Sequence, residues 1–415
     1  MVTLSVDKMV EGLPLKAQNK IYTTLDQVGI MLGMKNPKVA VSMAPSAVRG
    51  LVLEKGKHGD FVEMKANHST YFSLTYGTDF AEMYELYRRA VSNQWDGDAD
   101  LPWDTDVDRD NPATPILSRD FVPFDIVESF GVHLNPAEER QFTWDFAAWM
   151  LSQFMHGEQG AVYAAAQTVE CVQWVDGKLY GATQVMDEGR HLEVFLRYLQ
   201  TKMEKTYTIN DNLFVIIDSL MSDSRWDFKF LGMQIMVEGL ALGAFTTLYQ
   251  TTREPLLKQL LKMVIQDEAR HVHYGVLALR DHIAQLSERE RREREDWVYE
   301  VSILMRNRFK AHEIYDEWFS HKFPLKAWDQ ATQNAPSTLG FRRIMFERLI
   351  PNLEYIGLMS DRIKGDYEKA GLTQYLGGKN ATELNADDLT SAQAVAELGD
   401  DAPAELHDAV GAQRP

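Results

Sequence analysis

Two ten-residue stretches carry the same four polar positions: MDEGRHLEVF at 186–195 and QDEARHVHYG at 266–275. In each, a glutamate stands three residues before a histidine: Glu188 before His191, Glu268 before His271. Asp187 and Arg190 complete the first word, Asp267 and Arg270 the second. Residues three apart share a helix face, so each Glu and its His can aim at one point. A shift of eighty residues also lays Glu158 on Glu238, Ala161 on Ala241 and Ala164 on Ala244. The chemistry open to such a set is metal binding. Four carboxylates bring four negative charges, which two divalent ions would neutralise, and two imidazoles add nitrogen donors without charge. An oxygen-rich set with two histidines suits iron or manganese better than zinc.

The elements that must position these groups follow from the same spacing. In an antiparallel helical hairpin, residues equidistant from the turn lie side by side. The midpoint of Glu238 and Glu268 is Arg253, inside TTREP at 251–255, and that of Glu158 and Glu188 is Gln173, beside VDG at 175–177. Each hairpin thus sets one lone glutamate level with one Glu-x-x-His. The neighbours one turn away are apolar: Phe154, Met155, Ala161 and Val162 for Glu158, Val185 and Leu192 for Glu188, Ile235, Ala241 and Leu242 for Glu238, and Val264, Ile265 and Val272 for Glu268. These carboxylates are therefore expected on buried faces, where a charge is costly unless paired or bound to a cation.

Helical periodicity dominates from about residue 76. An amphipathic helix is predicted within 77–97, followed by an acidic loop at 96–115. That loop alternates Asp104, Asp106 and Asp108, but Arg109 stands where a calcium loop needs glycine, so it reads as solvated. Four long helices are predicted at 136–173, 178–205, 212–250 and 255–287, with Pro255 suited to a first turn. Two more are expected around 293–319 and 338–371, and SERERREREDW at 287–297 reads as a solvated helix face. The expected organisation is an N-terminal arm at 1–75, a helical domain at 76–375 with its metal-binding bundle at 136–287, and an acidic, mobile tail at 376–415. The arm combines a helix near 18–34 with turn-rich sequence compatible with strands. In the tail, SAQAVAEL at 391–398 could dock as a short helix.

Composition narrows the function classes. The net charge of −18 over 415 residues argues against general affinity for nucleic acid or anionic membrane. Cys171 is the single cysteine, which excludes an intrachain disulfide, a thiolate zinc site or an iron–sulfur cluster within one chain. The start lacks the apolar core of a signal peptide, and the longest apolar run, FLGMQIMVEGLALGAF, is short for a bilayer and carries Glu238. A cytoplasmic protein with no membrane span is expected. No G-x-G-x-x-G follows a strand, so electrons for any redox chemistry would come from a separate donor.

The ligand pattern resembles that of the ferritin-like di-iron carboxylate superfamily. The doubled DE-x-RH is most similar to bacterial multicomponent monooxygenase hydroxylases and the ribonucleotide reductase small-subunit group. The resemblance covers about 140–285, with a weaker likeness at YRRAVSNQWDGDADLPW, 87–103. It implies an all-α fold, a ferritin-like four-helix bundle with additional flanking helices. It implies Glu158, Glu188, His191, Glu238, Glu268 and His271 as ligands of two iron ions, or of a manganese–iron pair, with Glu188 and Glu268 as bridges. Asp187 and Asp267 would orient the histidines, and Arg190 and Arg270 would pair with nearby carboxylates. Dioxygen would be the co-substrate of an oxidase or monooxygenase acting on a hydrophobic aromatic or acyl molecule, in a cavity walled by Trp144, Phe154, Tyr163, Phe195, Leu242 and Phe245. The implied partners are a ferredoxin or flavin reductase and a second copy or other subunits of an oxygenase complex.

Single positions separate the branches. Phe195 stands where radical-generating subunits carry tyrosine, Val264 where arylamine N-oxygenases carry an extra histidine, and Leu242 where multicomponent hydroxylases commonly carry threonine. An acyl desaturase or N-oxygenase of the same superfamily is the first alternative. A ferroxidase, an iron-binding protein or a non-catalytic subunit is the alternative of another class.

Overall fold

The long helices begin and end where local chemistry dictates. Asn135 accepts from the backbone N–H groups of Ala137 and Glu138 while Glu138 reaches back, a capping box that starts a 36-residue helix with Pro136 in its first turn. Glu254 accepts from the N–H groups of Leu256 and Leu257 and starts the helix opened by Pro255. These caps satisfy donors that a helix N-terminus otherwise leaves unpaired.

The structure, a computed structural model, describes residues 10–78, 80–384 and 389–390. SAQAVAEL and most of the acidic tail lie outside the described residues. The described elements in chain order are α1 (Leu15–Gly33), α2 (Pro37–Ala47), α3 (Ala81–Ser92), α4 (Phe124–Ser129), α5 (Pro136–Cys171), α6 (Val175–Tyr198) and α7 (Asp211–Ser222). There follow α8 (Trp226–Thr251), α9 (Pro255–Gln285), α10 (Glu288–Asn307), α11 (His312–Trp318), α12 (Leu325–Asn334), α13 (Pro336–Tyr355) and α14 (Asp361–Lys369). No strand occurs among the described residues, so the turn-rich part of the N-terminal arm forms α2, a π turn at Val48–Val52 and an extended segment.

Two antiparallel hairpins, α5–α6 and α8–α9, pack together as a four-helix bundle with flanking helices around it. α3 lies across α6 and α9, α7 runs along α5, and α13 covers the second half of α8. α8 is long and apolar enough by composition to cross a membrane, but 94% of its apolar window is buried inside this protein and it carries Glu238. It is the central core helix.

Several expected boundaries move. The predicted helix at 212–250 is two helices, because Asp223 folds its carboxylate onto the N–H of Arg225 and breaks the run. VDG is not the first turn between helices; it lies in the opening turn of α6, and Val172–Trp174 make the connection. The segments at 293–319 and 338–371 each divide in two, and α12 was not foreseen. SERERREREDW is solvated only in part: Arg294 is buried against Asp227 at 2.7 Å, and Glu295 is buried against Arg362 at 2.7 Å.

Candidate metal centre

Each helix of the bundle delivers its group from an inward face. α5 brings Glu158, α6 brings Glu188 and His191, α8 brings Glu238, and α9 brings Glu268 and His271; all six are buried. Their donor atoms fall into two overlapping sets. In one, Glu158, Glu188, His191 and Glu268 each bring an atom within 4.8 Å of all the others; in the other, Glu188, Glu238 and His271 do so. Glu188 belongs to both, one oxygen 3.6 Å from His191 Nδ1 and the other 3.0 Å from His271 Nδ1. Glu268 Oε1 lies 3.2 Å from His191 Nδ1 and 3.6 Å from His271 Nδ1.

One ring nitrogen cannot hydrogen-bond three carboxylates, yet His191 Nδ1 has oxygens of Glu158, Glu268 and Glu188 at 3.3, 3.2 and 3.6 Å. Glu188 Oε2, Glu238 Oε2, both oxygens of Glu268 and His271 Nδ1 are buried without a hydrogen-bond partner. Buried polar atoms are rarely left so. Carboxylate oxygens and ring nitrogens that converge and are left without partners are the arrangement a cation completes, and the residues present fit a metal pair.

The far side of each imidazole is fixed crosswise between the hairpins. His191 Nε2 meets Asp267 Oδ2 at 3.0 Å, and His271 Nε2 meets Asp187 Oδ2 at 3.3 Å. An imidazole that donates through Nε2 presents Nδ1 as a lone pair, toward the carboxylates. Arg190 donates to Asp187 at 2.6 Å and Asp267 at 2.9 Å, and Arg270 pairs with the same two aspartates. These two arginines cancel the two aspartates. The four glutamates remain, and two divalent cations match their charge.

Loss of water shapes the protonation of the cluster. Burial, followed by repulsion from Glu188 and Glu268, holds the Glu238 carboxyl well above the usual range, and burial does the same to Glu158. For Glu188 burial opposes ionisation, but His271 and His191 outweigh it and draw the group well below its ordinary value. The histidines hold protons more tightly than usual: burial works against the charge, and the acidic partners, Asp267 first for His191 and Glu188 first for His271, overcome it.

Other expected residues divide by distance along the helices. Phe154, Phe195 and Phe245 meet in one aromatic layer, with ring centroids 6.0, 4.7 and 5.7 Å apart. Leu242, one turn after Glu238, is buried on the same end of the cluster. Tyr163 is not a cavity wall: five residues past Glu158 is well round the helix, and its side chain is 50% exposed. Trp144 shares the face of Glu158 but sits about 21 Å along α5, at 1.5 Å rise per residue, with its indole 3.4 Å from the Met203 carbonyl.

Four neighbours were missed. Trp95 donates its indole N–H to Asp267 at 2.7 Å, and Arg190 sits 4.6 Å above its ring. Gln94 joins Asp187 and Arg190 at 3.0 and 2.9 Å. Gln184 donates to Glu188 at 3.0 Å and to Glu238 at 2.9 Å, and Gln234 donates to Gln184 at 3.3 Å. The signal for Gln184 and Gln234 was present: each stands four residues before a site glutamate, one turn away on the same face.

Fold and site together define the class: a four-helix bundle whose core holds a carboxylate–histidine cluster able to bind two metal ions. No protein-family model matches the chain, and no curated protein matches it. Among solved structures it is similar to a mutant of an R2-like ligand-binding oxidase with an anaerobically reconstituted Mn/Fe cofactor. The two share 18% sequence identity with a TM-score of 0.39 over 67% of this chain and 94% of that one.

Proposed function

We propose that this protein is an oxygen-dependent oxidase or monooxygenase that uses two iron ions, or a manganese–iron pair, to oxidise a hydrophobic organic molecule. The observation that carries this reading is the convergence of four glutamates and two histidines into two donor sets sharing Glu188, all buried in the core of the bundle. Two redox-active ions bound there would supply reductive activation of dioxygen. The chain does the rest. Glu158, Glu188, Glu238, Glu268, His191 and His271 would hold the ions, with Glu188 and Glu268 in reach of both histidines. Asp187 and Asp267 fix the histidine tautomers, and Arg190 and Arg270 pair with those aspartates. Phe154, Phe195, Phe245 and Leu242 form the apolar side of the site, suited to an aromatic or acyl substrate and closed to bulk water. Reducing equivalents would come from a separate ferredoxin or flavin reductase.

The test is metal counting followed by oxygen uptake. After anaerobic loading with ferrous iron, with and without manganese, the wild type should hold about two metals per chain, and a Glu188→Ala, Glu268→Ala double variant should hold far less. Admitting oxygen should then consume it with a transient visible absorption in the wild type alone. Equal loading of the two proteins would end the metal reading. Full loading with no oxygen uptake would leave a metal-binding protein without the oxidase activity.

A further inference from the structure

The eighty-residue repeat breaks at one place beside the metal cluster. One turn before each site glutamate stand Phe154 on α5, Gln184 on α6, Gln234 on α8 and Val264 on α9. Gln184 and Gln234 touch each other, as do Phe154 and the aromatic layer, so the two ends of the cluster differ. One end is apolar; the other is closed by two buried amides.

Those amides act on one donor set more than the other. The Gln184 side-chain N–H₂ spans Glu188 Oε1 and Glu238 Oε1 at 3.0 and 2.9 Å. Glu238 Oε2 is left without a partner and buried. Each carboxylate therefore keeps one oxygen tied and one free. Glu238 and Glu188 belong to the three-residue set with His271, whereas Glu158 and Glu268, which complete the four-residue set, receive nothing from Gln184. Gln184 is held in turn by Gln234, which sits in the π-helical turn Leu231–Val237 immediately before Glu238. Opposite Gln234 is Gly275, where a Cβ would come within 2.6 Å of the Gln234 Cβ. The absent side chain on α9 makes room for the amide pair. π-helical turns recur at functional sites because they shift the register of a helix face.

We infer that Gln184, backed by Gln234, is a positioning residue that sets the metal affinity of the Glu188–Glu238–His271 position independently of the Glu158–Glu188–His191–Glu268 position. This rests on the two-metal reading above. The physical reason is that an N–H donor on Glu238 Oε1 fixes the rotation of that carboxylate, which belongs to the His271 set alone, and leaves its Oε2 free for the cation, at little entropic cost on binding. Without the amide, Glu238 would have to be ordered by the metal alone.

The test uses Gln184→Met and Gln234→Met, close in volume to glutamine and unable to donate, with Gln167→Met, a buried amide on α5 well beyond Glu158, as control. Anaerobic titration with Mn(II), followed by calorimetry and by the Mn(II) spin-resonance signal, reads the two positions separately and needs no turnover. Expected is an unchanged tight first step with the second weakened about ten- to hundredfold in Gln184→Met, a smaller effect of the same sign in Gln234→Met, and no change in Gln167→Met. Second-step affinity within twofold of wild type in both glutamine variants would overturn the inference. Equal weakening of both steps would overturn it too, since it would mark general loosening of the core. If Gln184→Met does not fold, Gln234→Met alone decides between these outcomes. A wild-type chain that takes up no Mn(II) or Fe(II) would instead overturn the two-metal reading itself, a result distinct from unequal steps that ignore Gln184.

Discussion

His191 and His271 each owe their orientation to an aspartate from the opposite hairpin, Asp267 and Asp187. Replacing Asp267 by asparagine keeps the volume but turns an acceptor into a group that can donate to the ring. The expected result is a loss of metal affinity of about ten- to hundredfold, read by competition with a chelator of known affinity. Asp187→Asn should act in the same direction; unchanged affinity in both would contradict the role given to these hydrogen bonds. A second expectation concerns pH. Glu158, Glu238, His191 and His271 all hold protons to higher pH than ordinary groups of their kind. A metal needs them bare. Loading must therefore release protons, and affinity must rise with pH through the range in which these groups titrate. Calorimetry in two buffers of different ionisation enthalpy measures the release directly, and heats that do not depend on the buffer would refute it. The six donors were legible in the sequence because Glu-x-x-His on one helix face is local geometry. Gln94 and Trp95 were not, since they reach the cluster from the loop after α3, with no periodic relation to it.

At the level of elements, the break between α7 and α8 shows how a polar side chain can end a helix inside the core. Lys229 is fully buried, and its ammonium donates to the carbonyls of Leu220, Met221 and Asp223 at 3.3, 3.3 and 2.9 Å and to Gln167 at 2.5 Å. These are the carbonyls that the end of α7 leaves without helical partners. Burial pushes the Lys229 amine down to about 8, outweighing the opposite pull of Asp223 and Glu170. Lys229→Met should destabilise the protein by about 1–3 kcal/mol, the cost of leaving such carbonyls unpaired, measured by denaturant unfolding. An unchanged midpoint would show that water can replace the lysine there. The sequence pattern ran 212–250 as one helix because apolar periodicity continues across Asp223–Arg225, and only the side-chain turn at Asp223 interrupts it. The same averaging hid the π turn before Glu238, which costs the pattern one residue of register and no change in composition.

For the whole molecule, a buried core in which four glutamates and two histidines converge is completed when cations displace their protons. Metal that binds the folded chain and not the unfolded one stabilises it by mass action. The expected outcome is a melting temperature that climbs with added Fe(II) or Mn(II) under anaerobic conditions and levels off near two metals per chain, with little response in Glu188→Ala, Glu268→Ala. A flat response in the wild type would mean the cluster is satisfied by protons alone. The sequence by itself determined the four helices, their pairing as hairpins and the six inward donors. Helix periodicity and equidistance from a turn are properties of a single chain segment, and the eighty-residue repeat stated them twice. Only the tertiary structure decided which aspartate serves which histidine, that Gln184 and Gln234 close one end of the site while Phe154, Phe195 and Phe245 close the other, and that Tyr163 faces solvent. Those choices depend on the rotation and sliding of each helix against its neighbours. Side-chain packing across the bundle fixes them, and no spacing along one helix records them.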